Sequence, residues 1–266
     1  MKLPEQAFAR LACAPAVWVT VDATQGSVPR DAQTWMAVFA DQVIGTIGGG
    51  HVEFEAIAQA RRWLDGHVGA PVVRYPLGPA LGQCCGGVMH LRFEPVGAAD
   101  VARLQQSVVV ARMPVALFGG GHVGHALIEV LGNLPFAVTW IDSRDDIFPA
   151  TVPANVICEF SEPVHRAVAG LVPQSCVLVM SFSHAEDLDV IAQCLLRQRA
   201  LGDLPHIGMI GSKTKWATFR RRLGERGFAN TELDQVACPI GIPGVPGKEP
   251  EVIAVAVAAQ LLQRRA

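Results

Sequence analysis

The chain predicts an α/β protein: a C-terminal Rossmann-like domain with a doubly wound parallel sheet, and a smaller strand-rich α+β N-terminal domain. Three observations carry that expectation. From Pro114 onward, short runs that are apolar at every position alternate with helical segments, the pattern of strands buried on both faces of a parallel sheet. The first of these runs leads into Gly119-Gly120-Gly121-His122-Val123-Gly124, a G-x-G-x-x-G turn, and the next strand ends at Asp142, the spacing of a dinucleotide fingerprint. Residues 1–95 lack this alternation and carry short β-branched and aromatic runs instead. The resulting division is 1–95, a helical connector at 96–113, and 114–266.

In the N-terminal part, Ala16–Val21 and Thr34–Phe39 read as strands. Glu53 to Leu64 has helical spacing, with Phe54, Ile57, Ala58, Arg61 and Leu64 three or four residues apart. Val72–Tyr75 and Val88–Phe93 read as strands flanking a cysteine-containing loop, and Ala98–Arg112 as the connector helix. In the C-terminal part, strands are expected at Val115–Phe118, Phe136–Ile141, Asn155–Cys158, Cys176–Met180 and His206–Ile210. Helices are expected after the glycine turn to about Leu131, and at Val164–Leu171, Asp187–Leu201 and Lys213–Arg226. Lys248-Glu249-Pro250-Glu251 reads as an ordinary helix start, since proline is tolerated in a first turn.

Half of the 266 residues are hydrophobic and 17% are charged, enough for ample cores in one large or two ordinary domains. A net charge of −2 leaves no basic footprint for nucleic acid. Seven cysteines, an odd number with one adjacent pair, do not form a secreted disulfide framework and suit a reducing compartment. Leu11–Val19 is apolar, but Glu5 and Arg10 precede it and Pro15 interrupts it, so it reads as buried structure rather than a signal peptide. Val252–Leu262 is apolar but shorter than the roughly 18 residues of a membrane span. A soluble, cytoplasmic protein is expected.

The run Gly-Gly-Gly-His-Val occurs twice, at Gly48-Gly49-Gly50-His51-Val52 and at Gly119-Gly120-Gly121-His122-Val123, each time after an apolar run and before a helical segment. Such a turn presents backbone N–H groups and a helix dipole to an anion; it also serves wherever a tight turn alone is needed. Asp142 is placed to meet a ribose hydroxyl if a nucleotide is bound. Between the turns lies Gly82-Gln83-Cys84-Cys85-Gly86-Gly87. Adjacent side chains in an extended segment point to opposite sides, so the two sulfurs do not grip one ion, and no C-x-x-C is present for structural zinc. Either cysteine as an exposed thiolate suits a soft metal or a carried sulfur, or the pair is two small hydrophobes at a turn. Cys13, Cys158, Cys176, Cys194 and Cys238 read as core. His184, in Ser181-Phe182-Ser183-His184 after a sheet strand, is either a proton donor or the exposed neighbour of a cap formed by Ser183 or Asp187. Ser212-Lys213 offers a cap hydroxyl and a cation at the next strand end. Glu53 and Glu55 suit the helix dipole of the first turn.

These segments together resemble the XdhC/CoxI family. The N-terminal likeness lies in Asp22–Arg30, Ile47-Gly-Gly-Gly-His-Val-Glu53 and Leu81-Gly-Gln-Cys-Cys-Gly-Gly87; the C-terminal likeness in Phe118-Gly-Gly-Gly-His-Val-Gly124, His206-Ile-Gly-Met-Ile-Gly-Ser-Lys213 and Cys238-Pro-Ile-Gly-Ile242. The match runs over nearly the whole chain in order. The resemblance implies a carrier of molybdenum cofactor, not itself the oxidoreductase. Such a carrier supports the sulfuration of the cofactor by a cysteine desulfurase and inserts it into apo-xanthine dehydrogenase, with a homodimer as the expected assembly. On that reading Gly48, Gly49, Gly50, His51, Gly119, Gly121, His122, Gly124, Asp142, Ser212 and Lys213 are the candidate cofactor-binding residues, and Cys84 or Cys85 the candidate molybdenum ligand. Two further readings are an NAD(P)-dependent oxidoreductase with His184 as proton donor, and a sulfur transferase carrying a persulfide on Cys84 or Cys85.

Overall fold

The computed structural model describes residues 3–67, 69–77, 86–108 and 112–265. The chain divides into two compact units, Met1–Val109 and Val110–Ala266.

The first unit is built on a five-stranded antiparallel sheet, in the order β3-β2-β1-β5-β4. Its strands are β1 (Ala16–Gln25), β2 (Trp35–Val38), β3 (Val43–Gly45), β4 (Val72–Pro76) and β5 (Val88–Val96). Helices α1 (Leu3–Leu11), α2 (Gly50–Leu64) and α3 (Val101–Ser107) complete it. Central strand β1 is buried at every position from Ala16 to Val19 because both faces of the sheet are covered. Val17, Val19 and Val21 pack with Val52, Ala56 and Ala60 of α2; Ala16 and Trp18 pack with Ala7 and Leu11 of α1 and Leu104 of α3. The helix expected at 53–64 is present, but the stripe it buries is Val52, Ala56 and Ala60, while Phe54 is 70% exposed. Small alanines let the helix lie close on β1, and the large aromatic falls on the opposite face. The expected connector helix over 98–112 is shorter: a 3-10 turn at Ala98–Asp100 leads into α3, which stops at Ser107.

The second unit is a six-stranded sheet in the order β11-β10-β9-β6-β7-β8, and every neighbouring pair is parallel. The strands are β6 (Met113–Phe118), β7 (Phe136–Asp142), β8 (Val156–Phe160), β9 (Cys176–Val179), β10 (His206–Met209) and β11 (Val236–Ala237). Helices are α4 (His122–Leu131), α5 (His184–Leu201), α6 (Lys213–Glu225), α7 (Asn230–Leu233) and α8 (Pro250–Gln263). α5 and α6 seal one face of the sheet, around Val177, Val179, Ile207 and Met209. α4 and α8 seal the other, around Val115, Leu117, Cys176 and Leu178. Cover on both faces explains why the central strands are apolar throughout Val115–Phe118 and Cys176–Val179. The segment expected as a helix at 164–171 is a 3-10 segment, Val164–Gly170. β11 and α7, of two and four residues, are too short to leave a periodic signature. α8 begins with Pro250 at its first turn, as its sequence implied. No helix among the described residues is long and apolar enough to cross a membrane.

The buried face of α2 generates a test. Phe54→Ser removes an exposed ring and should change unfolding stability by less than about 0.5 kcal/mol. Ala60→Leu forces a larger side chain between helix and sheet and should cost about 1–3 kcal/mol in chemical denaturation. The opposite ranking would place the wrong face of α2 inside.

Candidate functional site

Strand order reverses between β6 and β9, and open α/β sheets bind ligands in the crevice outside that switch point. The turn after β6 carries the second glycine run. Gly119 has φ +122°, and a Cβ there would lie 2.0 Å from the carbonyl oxygen of Met180, at the end of β9. A Cβ on Gly124 would lie 2.2 Å from the carbonyl oxygen of Gly119. Both glycines are therefore required by backbone-to-backbone packing whether or not a ligand is bound. Gly121, by contrast, has φ −75° and open space where a Cβ would stand.

Asp142, at the end of β7, is 2% exposed and spends both oxygens on its own chain. Oδ2 accepts from the Gly120 amide at 2.6 Å and from Arg144 Nη2 at 3.0 Å. Oδ1 accepts from the Arg144 amide and from Arg144 Nε, each at 2.9 Å. These four donors fill the lone pairs that a ribose hydroxyl would need. Burial pushes the carboxyl pKa up, but the Arg144 side-chain bonds and the Gly120 and Arg144 amides outweigh it and hold it below the usual carboxylate range. The Arg144 guanidinium lies 4.4 Å over the exposed Phe182 ring. His122 is exposed on the first turn of α4.

The first glycine run follows the same plan with a local acid. Gly48, Gly49 and Gly50 all have positive φ, and Cβ atoms on Gly48 would strike Pro29 at 2.8 Å. Glu53, four residues beyond Gly49, turns back over the loop: its Oε2 accepts from the amides of Ile47 at 2.9 Å and Gly49 at 3.0 Å, and from Thr46 Oγ1. The Gly48 amide donates to Thr46 Oγ1 at 3.1 Å. The anion held by this turn is thus the chain's own carboxylate. Burial raises the Glu53 pKa, and the hydrogen bonds from Thr46 and the loop amides more than reverse it, leaving it lowered. His51, on the exposed side of α2, pairs with Glu55 at 3.1 Å.

A third carboxylate organises the turn after β9. Asp187, 2% exposed, accepts from the Ser181 amide at 2.7 Å and pairs with Lys215 Nζ at 2.7 Å, which also donates to the Ile210 carbonyl. Ser183 supplies the cap, accepting from the Glu186 amide, and His184 is the exposed first residue of α5, with its ring edge-on to Phe219. At the next turn Ser212 caps α6 by accepting from the Lys215 amide, and Lys213 follows it. Ser212 and Lys213 border a cavity of about 820 Å³ formed with residues 239–256. The sheet brings the Gly119–Gly124 turn and Ser212-Lys213 to the same edge, two strands apart; Gly48–His51 belong to the other unit.

Cys84 and Cys85 lie outside the described residues. Of the remaining cysteines, Cys176 and Cys194 are buried and Cys158 and Cys238 half-buried, but Cys13 is exposed rather than in a core. Burial pushes Cys194 up to about 12 and Cys238 up to about 11, so neither is a thiolate at neutral pH. Sequence reasoning missed Arg144, and Lys248, which lines the same cavity as Lys213. The Asp-Ser-Arg spacing at the end of β7 is the signal that would have exposed the first, because an arginine two residues past an acid can close back on it within one turn.

The family model for the XdhC Rossmann domain matches residues 115–261, and that for the XdhC and CoxI family matches residues 10–76. The chain is similar to the uncharacterized protein YqeB of Escherichia coli (strain K12), 26% identical over 246 residues, which take in 90% of this chain and 42% of YqeB. It therefore spans about two-fifths of the length of that curated relative. A solved structure from Bacillus halodurans, described as a xanthine dehydrogenase, superposes with a TM-score of 0.79 at 19% identity, over 99% of this chain and 95% of that one. At that identity the likeness is one of fold.

Two tests follow from the turns. Gly119→Ala should cost more than about 3 kcal/mol or abolish folding, whereas Gly121→Ala should shift stability by less than about 1 kcal/mol; equal effects would contradict the packing role of Gly119. The lowered carboxyl pKa values of Glu53 and Asp142 stabilise the fold fully above the unfolded value near about pH 4, and that contribution is lost as pH falls through the folded values. Acid titration of unfolding should show this loss. Glu53→Gln and Asp142→Asn should each lower neutral stability by about 1–3 kcal/mol and flatten the acid limb; acid limbs parallel to the unsubstituted protein would show that these carboxylates do not hold the turns.

Proposed function

The chain belongs to the XdhC family, and from that premise we propose that it is an accessory protein in the maturation of xanthine dehydrogenase. It receives molybdenum cofactor, supports its sulfuration by a cysteine desulfurase, and passes it to the apo-enzyme. The observation that carries this reading is the ordered match of the two family models, one to each compact unit. The same reading makes the protein cytoplasmic, a homodimer and a carrier rather than a catalyst.

The cofactor brings a phosphate, a flat pterin and a dithiolene-bound metal, and when bound it supplies the molybdenum and its exchangeable terminal sulfur. The glycine turns are poor cradles for that phosphate, because the amides of Ile47, Gly49 and Gly120 are already committed to Glu53 and Asp142. Ser212 and Lys213 fit better: a hydroxyl, and an ammonium with no partner among the described residues, stand at the mouth of a cavity of ligand size. Cys84 or Cys85 is the soft donor that suits molybdenum or its sulfur. The competing reading, an NAD(P)-dependent oxidoreductase, draws on the fingerprint glycines and Asp142; against it stands the carboxylate of Asp142, which Arg144 and Gly120 fill.

Purified protein incubated with molybdenum cofactor should retain it on a sizing column and activate apo-xanthine dehydrogenase. Retention should be lost in Cys84→Ala or in Cys85→Ala, which would name the ligand. Titration with NADH or NADPH should give no micromolar binding. Failure to retain the cofactor and to activate the apo-enzyme would overturn the carrier reading, and micromolar nicotinamide binding would favour its rival.

A further inference from the structure

The cavity beside Lys213 is made of three stretches far apart in sequence. The turn Ile210–Lys213 follows β10, residues 239–248 form a loop after β11, and the first turns of α8 close the remaining side. Its wall is largely aliphatic, with Ile210, Ile240, Ile242, Val252, Ile253 and Ala256 contributing. At about 820 Å³ it is large enough for a ligand of two or three fused rings with a substituent. The loop is pinned on α8: the Gly241 amide donates to Gln260 Oε1 at 3.0 Å, the Gln260 side-chain amide returns a bond to the Gly241 carbonyl, and the Ile242 amide donates to the Ala256 carbonyl at 3.1 Å. The wall is thus preformed.

Charge distinguishes this cavity from two in the N-terminal unit. In these two cavities the bordering guanidinium groups are neutralised: Arg10 by Asp41, Arg92 by Asp22, and Arg103 by Glu94 and Asp100. Lys215, one turn into α6, is likewise committed to Asp187. Lys213 and Lys248 both line the aliphatic cavity, and among the described residues neither ammonium has a hydrogen-bond or ion-pair partner. The amides of Gly244, Val245 and Gly247 in the loop are also without partners among the described residues. The Glu249 carboxylate accepts from the Lys248 amide at 2.8 Å and is not part of the cavity lining. An apolar pocket lined by two ammonium groups and free amides is complementary to a molecule with a flat apolar body and a group bearing more than one negative charge.

We propose that this cavity binds a phosphate-bearing ring compound, its rings against the isoleucines and Val252 and its phosphate met by Lys213 and Lys248. Assignment of that compound as a phosphopterin rests on the carrier reading above; an adenine nucleotide shares the same chemistry. The test uses the full chain and a fluorescent, metal-free pterin carrying a phosphate monoester, followed by polarisation. The same pterin after phosphatase treatment and adenosine monophosphate form the comparison arms. The unsubstituted protein should bind the phosphopterin at micromolar concentration or tighter. Removal of the phosphate, or Lys213→Ala with Lys248→Ala, should weaken binding at least roughly tenfold, and Lys213→Arg should retain it. Both lysines are exposed, so these variants should unfold like the unsubstituted protein.

Phosphopterin binding that ignores both the phosphate and the lysines would overturn the site, and so would the absence of binding by either ligand. If the intact cofactor were still retained on a sizing column in those cases, the carrier reading would survive without this site. Tighter, lysine-dependent binding of adenosine monophosphate would keep the site and overturn its pterin assignment; loss of cofactor retention in that case would overturn the carrier reading as well.

Discussion

Backbone N–H groups exposed by tight turns at strand ends have to be met by something, and in this protein carboxylates of the chain itself meet several of them. Glu53 closes over the Ile47–Gly49 turn, Asp142 takes the Gly120 amide, and Asp187 takes the Ser181 amide. Each is a charge-assisted bond in a partly or fully buried setting, where an orphaned donor would cost roughly 1–3 kcal/mol. The buried acids are themselves compensated, Asp142 by Arg144 and Asp187 by Lys215. Without those partners the desolvation of the carboxylates would oppose folding rather than support it. The local geometry of these three turns, after β3, β6 and β9, therefore depends on one kind of interaction.

This arrangement changes what the glycines are for. Gly119 exists because the chain after β6 passes against the carbonyl of Met180, and Gly124 because α4 lies on the carbonyl of Gly119. The close approach that admits a pyrophosphate in a dinucleotide-binding domain is used here between two segments of the protein. Trp140 reinforces the same contact by donating its indole N–H to the Gly119 carbonyl at 3.0 Å. A G-x-G-x-x-G sequence reports the tight strand–turn–helix passage in both cases, and the identity of what fills it is decided by side chains outside the motif.

Legibility in the sequence follows that division. The parallel sheet could be read because strands covered on both faces must be apolar, as in Val115–Phe118 and Cys176–Val179. Helix α2 could be read from its period, but the face it buries could not. Ala56 and Ala60 matter for how near they let the helix approach, while hydrophobicity alone favours Phe54. Asp142 was found by position, and its commitment to Arg144 was not, since a motif specifies where an acid stands and not whether its lone pairs are free. The Lys213–Lys248 cavity left the weakest trace. Its walls come from 210–213, 239–248 and 252–256, each unremarkable until the fold joins them.

The position of that cavity has a physical logic of its own. Ligands gather at the carboxyl edge of a parallel sheet because loops there can diverge without disturbing the strands. At β6 and β9 that edge is locked by packing and by the Asp142–Arg144 and Asp187–Lys215 pairs, so divergence is left to the outer strands. β11 is only two residues long, and the chain after it has no ladder to maintain. It swings out as a glycine- and proline-rich loop, is caught by Gln260 on α8, and encloses space beside the Ser212 cap. Where the inner turns consume their positive potential on internal acids, this outer loop brings Lys248 to the cavity that Lys213 borders, and neither ammonium has a partner among the described residues. Capacity for an external anion is thus displaced along the sheet edge, from the turn that carries the fingerprint to one that carries none.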